Sequence, residues 1–139
     1  MKHSIRLIFF SLALFLGVDL LAEESDRKPY VVNNILSLSI NSSINPATYS
    51  YFKSAFEEAE NKNFDLVLIK INTPGGLVST TKDILTLFGN SSIPVVVWVV
   101  PEGASATSAG AIIASGAHVL MMANGTNIGA ATPINLGSD

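Results

Sequence analysis

Two apolar runs of strand length limit what this chain can fold into more than any other feature. Phe64–Ile71 (FDLVLIKI) and Pro94–Val100 (PVVVWVV) are near-continuous and rich in β-branched residues. That is the pattern of strands covered on both faces, which belong to parallel sheets. Parallel neighbours must be joined by a crossover, and the intervening segment has the makings of one. Leu77, Thr81, Ile84, Leu85 and Phe88 fall along one side of a helix over Leu77–Phe88. Gly89-Asn90-Ser91-Ser92 then turns the chain back.

The same alternation extends both ways. Upstream, Tyr30–Ile40 reads as a strand, with Leu36, Leu38 and Ile40 alternating with Ser37 and Ser39. Asn45-Pro46 marks a helix start, Asn as N-cap and Pro at the first helical position. Phe52, Ala55, Phe56 and Ala59 then recur at helical spacing, with Lys53, Glu57, Glu58 and Glu60 largely on other faces. Downstream, Ala111–Gly116 is a short small-residue helix, His118–Met122 a short strand, and Asn124–Pro133 a glycine-rich loop that includes another short strand. The order β-α-β-α-β-α-β predicts an α/β fold with a largely parallel sheet, flanking helices and right-handed crossovers.

Charge is unevenly placed. From Ile84 to the end only Glu102 and Asp139 are charged. So charge-poor a stretch is expected to be buried in the fold, in an oligomer interface, or against something apolar. The net charge of −3 and the lack of a basic cluster beyond the first residues argue against nucleic acid as a partner. Cysteine is absent, which removes thiol catalysis, disulfides and thiolate metal sites. His3 and His118 are far apart and no His/Asp/Glu spacing suggests a metal, so neither metal nor cofactor is expected.

Met1–Ala22 reads as a signal peptide: Lys2, His3 and Arg6 give a basic start, Leu7–Val18 an apolar core, and Ala22 a small residue before cleavage. An uncleaved N-terminal anchor is the alternative. Residues 23–29 are then a charged linker and 30–139 the folded domain, on the extracytoplasmic side of a membrane.

Ligands of open α/β sheets gather at the carboxyl ends of the strands. Two loops leave such ends. Asn72-Thr73-Pro74-Gly75-Gly76 offers bare backbone N–H groups, and Pro101–Thr107 delivers a serine to a helix start. Together they supply an oxyanion hole and a nucleophile, two parts that acyl transfer needs. Either loop alone is more simply a turn or a packing helix.

The set Asn72–Gly76, Gly103-Ala104-Ser105-Ala106-Thr107-Ser108-Ala109-Gly110 and Gly125-Thr126-Asn127-Ile128-Gly129-Ala130-Ala131-Thr132-Pro133 resembles the N-terminal protease domain of the NfeD-type membrane-bound serine proteases. The resemblance runs from about Tyr30 to the last residue. It implies a Clp-protease/crotonase-like fold, here incomplete at the C-terminus, and an extracytoplasmic endopeptidase using a Ser–Lys dyad on apolar segments of membrane proteins. It also implies a stomatin-like partner and a homo-oligomer, at least a dimer. Carried over by position, Ser108 matches the nucleophile, Gly75 or Gly76 with the N–H of Ala109 the oxyanion-hole donors, and Gly125, Thr126, Asn127, Ile128, Gly129, Ala130, Ala131, Thr132 and Pro133 the substrate-cleft segment.

The sequence departs from that family at the base. The family's lysine follows the serine, whereas the last lysine here is Lys82. Lys70 and Lys82 read as a strand-end and a helix-surface charge. His118 follows the serine by ten residues, across a helix and into a strand, and is expected to point away from the serine end of that helix. Ala131 stands where the resemblance to the Clp proteolytic subunit would require a histidine. Ser105 is the next candidate nucleophile. The competing readings are a non-catalytic peptide-binding scaffold, a relative of the signal peptide peptidases, and an acyl-CoA enzyme of the crotonase class.

Overall fold

A computed structural model describes residues 28–132. The chain divides into two units, Met1–Val31 and Val32–Asp139, and the second contains every element below. The expected leader, most of the linker and Pro133 lie outside the described residues.

Strands β1 (Ile35–Ile40), β2 (Leu66–Ile71), β3 (Val95–Val99) and β5 (Val119–Met122) form one parallel sheet in the order β1-β2-β3-β5. The register aligns Leu38, Ile69, Val97 and Leu120 across it. Val67, Ile69, Ile71, Val95, Val97 and Val99 are wholly buried, as expected of strands covered on both faces. Between them run helices α1 (Pro46–Asn61) and α2 (Val78–Asn90), and β3 is followed by β4 (Ser105–Thr107) and α3 (Ala109–Ser115). The α/β fold and largely parallel sheet expected from the sequence are those observed.

Local chemistry sets the ends of the elements. Asn45 caps α1: its Oδ1 accepts the N–H groups of Ala47 and Thr48 at 2.9 and 3.2 Å, and Thr48 Oγ1 accepts the Asn45 N–H at 3.2 Å. Phe52 and Phe56 stack on Phe88 of α2 with ring centroids 6.2 and 5.7 Å apart. β1 starts later than the Tyr30 expected from alternation. Its first pair is Ile35 with Leu66, and ahead of that Asp65 Oδ2 takes the N–H groups of Asn33 and Asn34 at 2.8 and 3.0 Å. Those two donors hold the Asp65 carboxyl below its ordinary range.

One other expectation changes. Leu77 is not on the core stripe of α2: it is the extended N-cap and is exposed, its N–H held by the Ile44 carbonyl at 3.0 Å. The charge-poor second half also splits. β3 and most of α3 are buried, but Val119, Leu120, Met121 and Met122 are 50%, 39%, 47% and 44% exposed. β5 occupies the sheet edge and pairs with β3 alone among the described strands. Among the described residues no helix is long and apolar enough to cross a membrane.

Candidate active site

Three loop segments meet beyond the carboxyl ends of β2 and β3. Thr73 donates its N–H to the Ser105 carbonyl at 2.7 Å and accepts the Thr107 N–H at 3.1 Å, which ties the glycine loop to β4. On the other side Ile44 donates to the Gly75 carbonyl at 2.8 Å. β4 pairs in parallel with β6 (Asn127–Gly129), and the Ser108 N–H donates to the Gly129 carbonyl at 2.9 Å. The structure thus gathers the three sequence motifs at one place. Of the two three-residue strands of this second sheet, β6 falls where a short strand was expected in the glycine-rich loop, whereas β4 was not separable from loop in the sequence.

The glycines are fixed by contact. A Cβ on Gly76 would run into the backbone carbonyl oxygen of Ile44. Gly75 has φ +118°, and a Cβ there would lie 2.7 Å from Ser108 Cβ and 3.2 Å from its Oγ. The bare backbone of the loop therefore lies directly against the serine.

Ser108 has φ 53° and ψ −115°, a conformation that L side chains rarely adopt. Such a residue stores on the order of 1–3 kcal/mol of strain. It is the sharp strand-to-helix turn that lifts a serine hydroxyl clear of its neighbours. Ser108 is the N-cap of α3, yet its side chain makes no capping bond. Its carbonyl accepts from Ala111 and Ile112 at 3.0 and 3.3 Å, and among the described residues the half-buried hydroxyl has no hydrogen-bond partner.

The backbone donors divide unequally. The Gly75 N–H is taken by Thr73 Oγ1 at 3.2 Å. The N–H groups of Gly76 and Ala109 find no acceptor among the described residues. Gly76, Ala109 and Ser108 all line one cleft of about 290 Å³, together with Ala131 and Ile112. Its remaining wall is a stripe of α2: Val78, Thr81, Lys82 and Leu85. Of the segment Gly125–Pro133 only Ala131 lines this cleft among the described residues; Gly129 holds the serine backbone, Gly125 lies in the turn before β6, and Asn127–Gly129 form β6.

Lys82, read from sequence as a helix-surface charge, belongs to the cleft wall and is the one ionisable residue among those described there. Its signal was the spacing of Val78, Thr81 and Leu85 around it, a stripe beside the core-facing one. Thr73, whose hydroxyl occupies the Gly75 N–H, was also unforeseen: a buried threonine has no sequence mark. Ser105 is engaged elsewhere, its N–H bonded to Asn72 Oδ1 at 3.0 Å and its Oγ accepting from Asn127 at 2.9 Å. His118 Nδ1 accepts the Val95 N–H at 3.1 Å, at the start of β3, the end opposite the site. Lys70 lines a separate hollow with Asn72 and Pro101. Among the described residues no group of three His, Cys, Asp or Glu could hold a metal.

The N-terminal domain family of NfeD1b matches residues 34–139. The chain is 40% identical over 107 residues to the membrane-bound protease PH1510 of Pyrococcus horikoshii; this is 76% of the chain but only 24% of that relative's length. Two solved structures of the 1510-N membrane-bound stomatin-specific protease superpose well. A lysine-to-alanine mutant in complex with a substrate peptide gives a TM-score of 0.73 at 39% identity, covering 78% of this chain and 49% of that one. A serine-to-alanine mutant gives 0.72 at 38%, covering 78% and 54%. A ClpP1 mutant from Listeria monocytogenes, 23% identical with a TM-score of 0.53 over 58% of this chain and 46% of its own, shares the fold, which is Clp-protease-like.

Proposed function

The chain belongs to the NfeD1b N-terminal-domain family, and from that premise we propose that it is the protease domain of a membrane-associated serine endopeptidase. The observation that carries this is the convergence, on one apolar cleft, of the hydroxyl of the backbone-strained Ser108 with the N–H groups of Gly76 and Ala109, none of which has a hydrogen-bond partner among the described residues. Ser108 Oγ attacks the scissile carbonyl. The N–H groups of Gly76 and Ala109 receive the oxygen as it becomes negative, a task they suit because they have no acceptor among the described residues and are held in place before the substrate arrives. Gly75 serves by conformation and close approach and is not a donor.

A serine hydroxyl needs a base to attack near neutral pH. No lysine follows Ser108 in the sequence. We assign the base to a lysine in the part of the protein that the relatives have and this chain does not span. The chosen substitutions in the solved relatives, one serine and one lysine, support a Ser–Lys dyad. The apolar cleft favours apolar peptide segments, and the stomatin-specific relative makes a stomatin-like protein the first substrate to try. We further place the domain on the extracytoplasmic face, delivered by the residues before 23, and acting as a homo-oligomer. A reporter active only outside the cytoplasm, fused after residue 24, should give signal.

The deciding experiment uses the protein with its downstream sequence and an apolar peptide. Ser108→Ala is expected to reduce kcat/KM by at least about 10³, and unchanged cleavage would place the nucleophile elsewhere. The 139-residue chain alone is expected to be slower than the longer form by about 10²–10⁴, the usual worth of general-base assistance. Equal rates would mean that a base lies within these residues.

A further inference from the structure

The cleft wall contributed by α2 carries a cation that nothing among the described residues answers. Val78, Thr81, Lys82 and Leu85 stand at i, i+3, i+4 and i+7, so one helical stripe faces the cavity. Thr81 is buried and spends its hydroxyl on the Leu77 carbonyl at 2.9 Å. That leaves Lys82 as the polar side chain of this wall that is free to meet a ligand.

The lysines of α1 show what an ordinary surface lysine does here. Lys62 is 2.7 Å from Glu58, and Lys53 is 4.0 Å from Glu57, both at a spacing of four. Lys82 has no such partner among the described residues. Its neighbours three and four residues away are Ser79, Leu85, Val78 and Thr86. Asp83 is adjacent in sequence and so points to another side of the helix. α3, which packs on α2, carries no charge, and from Ile84 to residue 132 only Glu102 is charged. Lys82 lines the cleft and is exposed, a setting in which a lysine can cover apolar surface with its methylenes while its ammonium stays in water. A carboxylate arriving there is attracted by that ammonium with the modest, salt-screened strength of an exposed pair.

We propose that Lys82 is a specificity-determining residue, recognising an acidic side chain of the peptide that flanks an apolar residue seated between Ile112 and Leu85. This rests on the protease reading above. It adds to that reading a charge preference that an apolar cleft alone would not have.

The test uses the protein with its downstream sequence and pairs of apolar peptides identical except for Glu or Gln, the position being scanned along both sides of the scissile bond. The quantity read is the ratio of kcat/KM for the Glu peptide over the Gln peptide. Wild type is expected to show a ratio of about 3–10 at one position, falling as salt is raised. The ratio should fall to about 1 in Lys82→Gln, drop below 1 in Lys82→Glu, and persist in Lys82→Arg. A wild-type ratio near 1 at every position overturns the proposal, as does a preference that survives Lys82→Gln. Binding of the same peptides to the Ser108→Ala protein, followed by fluorescence anisotropy, separates the two readings. If nothing is cleaved yet the Glu peptide binds more tightly in a Lys82-dependent way, the protease reading fails and the recognition stands. If cleavage depends on Ser108 without any Glu preference, the reverse holds.

Discussion

The glycine loop after β2 and the serine turn after β3 reach the same cleft by opposite means. Gly75 adopts φ +118° and Gly76 approaches the Ile44 backbone closely, and both do so because they have no side chain. Ser108 also takes a conformation that favours glycine, φ 53°, but keeps its side chain and bears the strain. Where only backbone is wanted, the chain uses the residue that costs least in that geometry. A side chain kept at a strained position and employed in no structural role points to a role toward a ligand. The Ser108 hydroxyl is such a group, since it caps nothing and bonds to nothing described. Asn63 and Ala130 also sit at positive φ, but of the three non-glycine residues so placed only Ser108 lines the cleft, and it is the one to follow toward function.

Four substitutions bear on that contrast, in order of expected size. Gly76→Ala should be the most damaging, because its Cβ meets the backbone of Ile44, which cannot rotate away. A loss of about 3 kcal/mol is expected by urea denaturation, the upper part of the usual range for overpacking. A loss under about 1 kcal/mol would show that the Ile44 segment yields easily.

Gly75→Ala should cost about 2 kcal/mol, from the positive φ and from the contact with Ser108 Cβ. The two sites are expected to be coupled. In a Ser108→Gly background the Cβ that the new methyl group would strike is gone, so the cost should fall by about 1 kcal/mol in a double-mutant cycle. Additive behaviour would separate the loop from the serine turn.

Thr73→Val keeps the shape of a buried residue but strands the Gly75 N–H that Thr73 Oγ1 accepts. We expect a loss of about 1–2 kcal/mol. If stability is unchanged, the Gly75 N–H has another acceptor, and the distinction between Gly75 and Gly76 as donors weakens.

Ser108→Gly should have the smallest effect on stability and the opposite sign. Relief of strain, about 1–3 kcal/mol, outweighs the greater freedom of glycine in the unfolded chain, about 0.5–1 kcal/mol. A gain of about 1 kcal/mol is expected, together with loss of peptide cleavage in the longer protein. A destabilised Ser108→Gly would mean that the serine is held there by packing and not in spite of it.

The parts of the molecule that were legible in the chain are those whose causes are local. Asn45-Pro46 placed the start of α1, because an amide cap and a fixed φ act on the next turn alone. The two apolar runs became β2 and β3, since burial on both faces leaves no room for an alternating pattern. What depends on which distant groups meet was settled only by the assembled fold. β3 and β5 are both apolar, yet one is buried and the other half exposed, because sheet order sets how many neighbours a strand has. Gly75 and Gly76 are indistinguishable in the sequence. Thr73 and Ile44, brought together from different loops, satisfy the backbone around them so that only the Gly76 N–H of the pair is left for the cleft. Lys82 likewise acquired its meaning from α3 packing beside it, since a charge on a helix is surface or cleft wall according to what lies opposite.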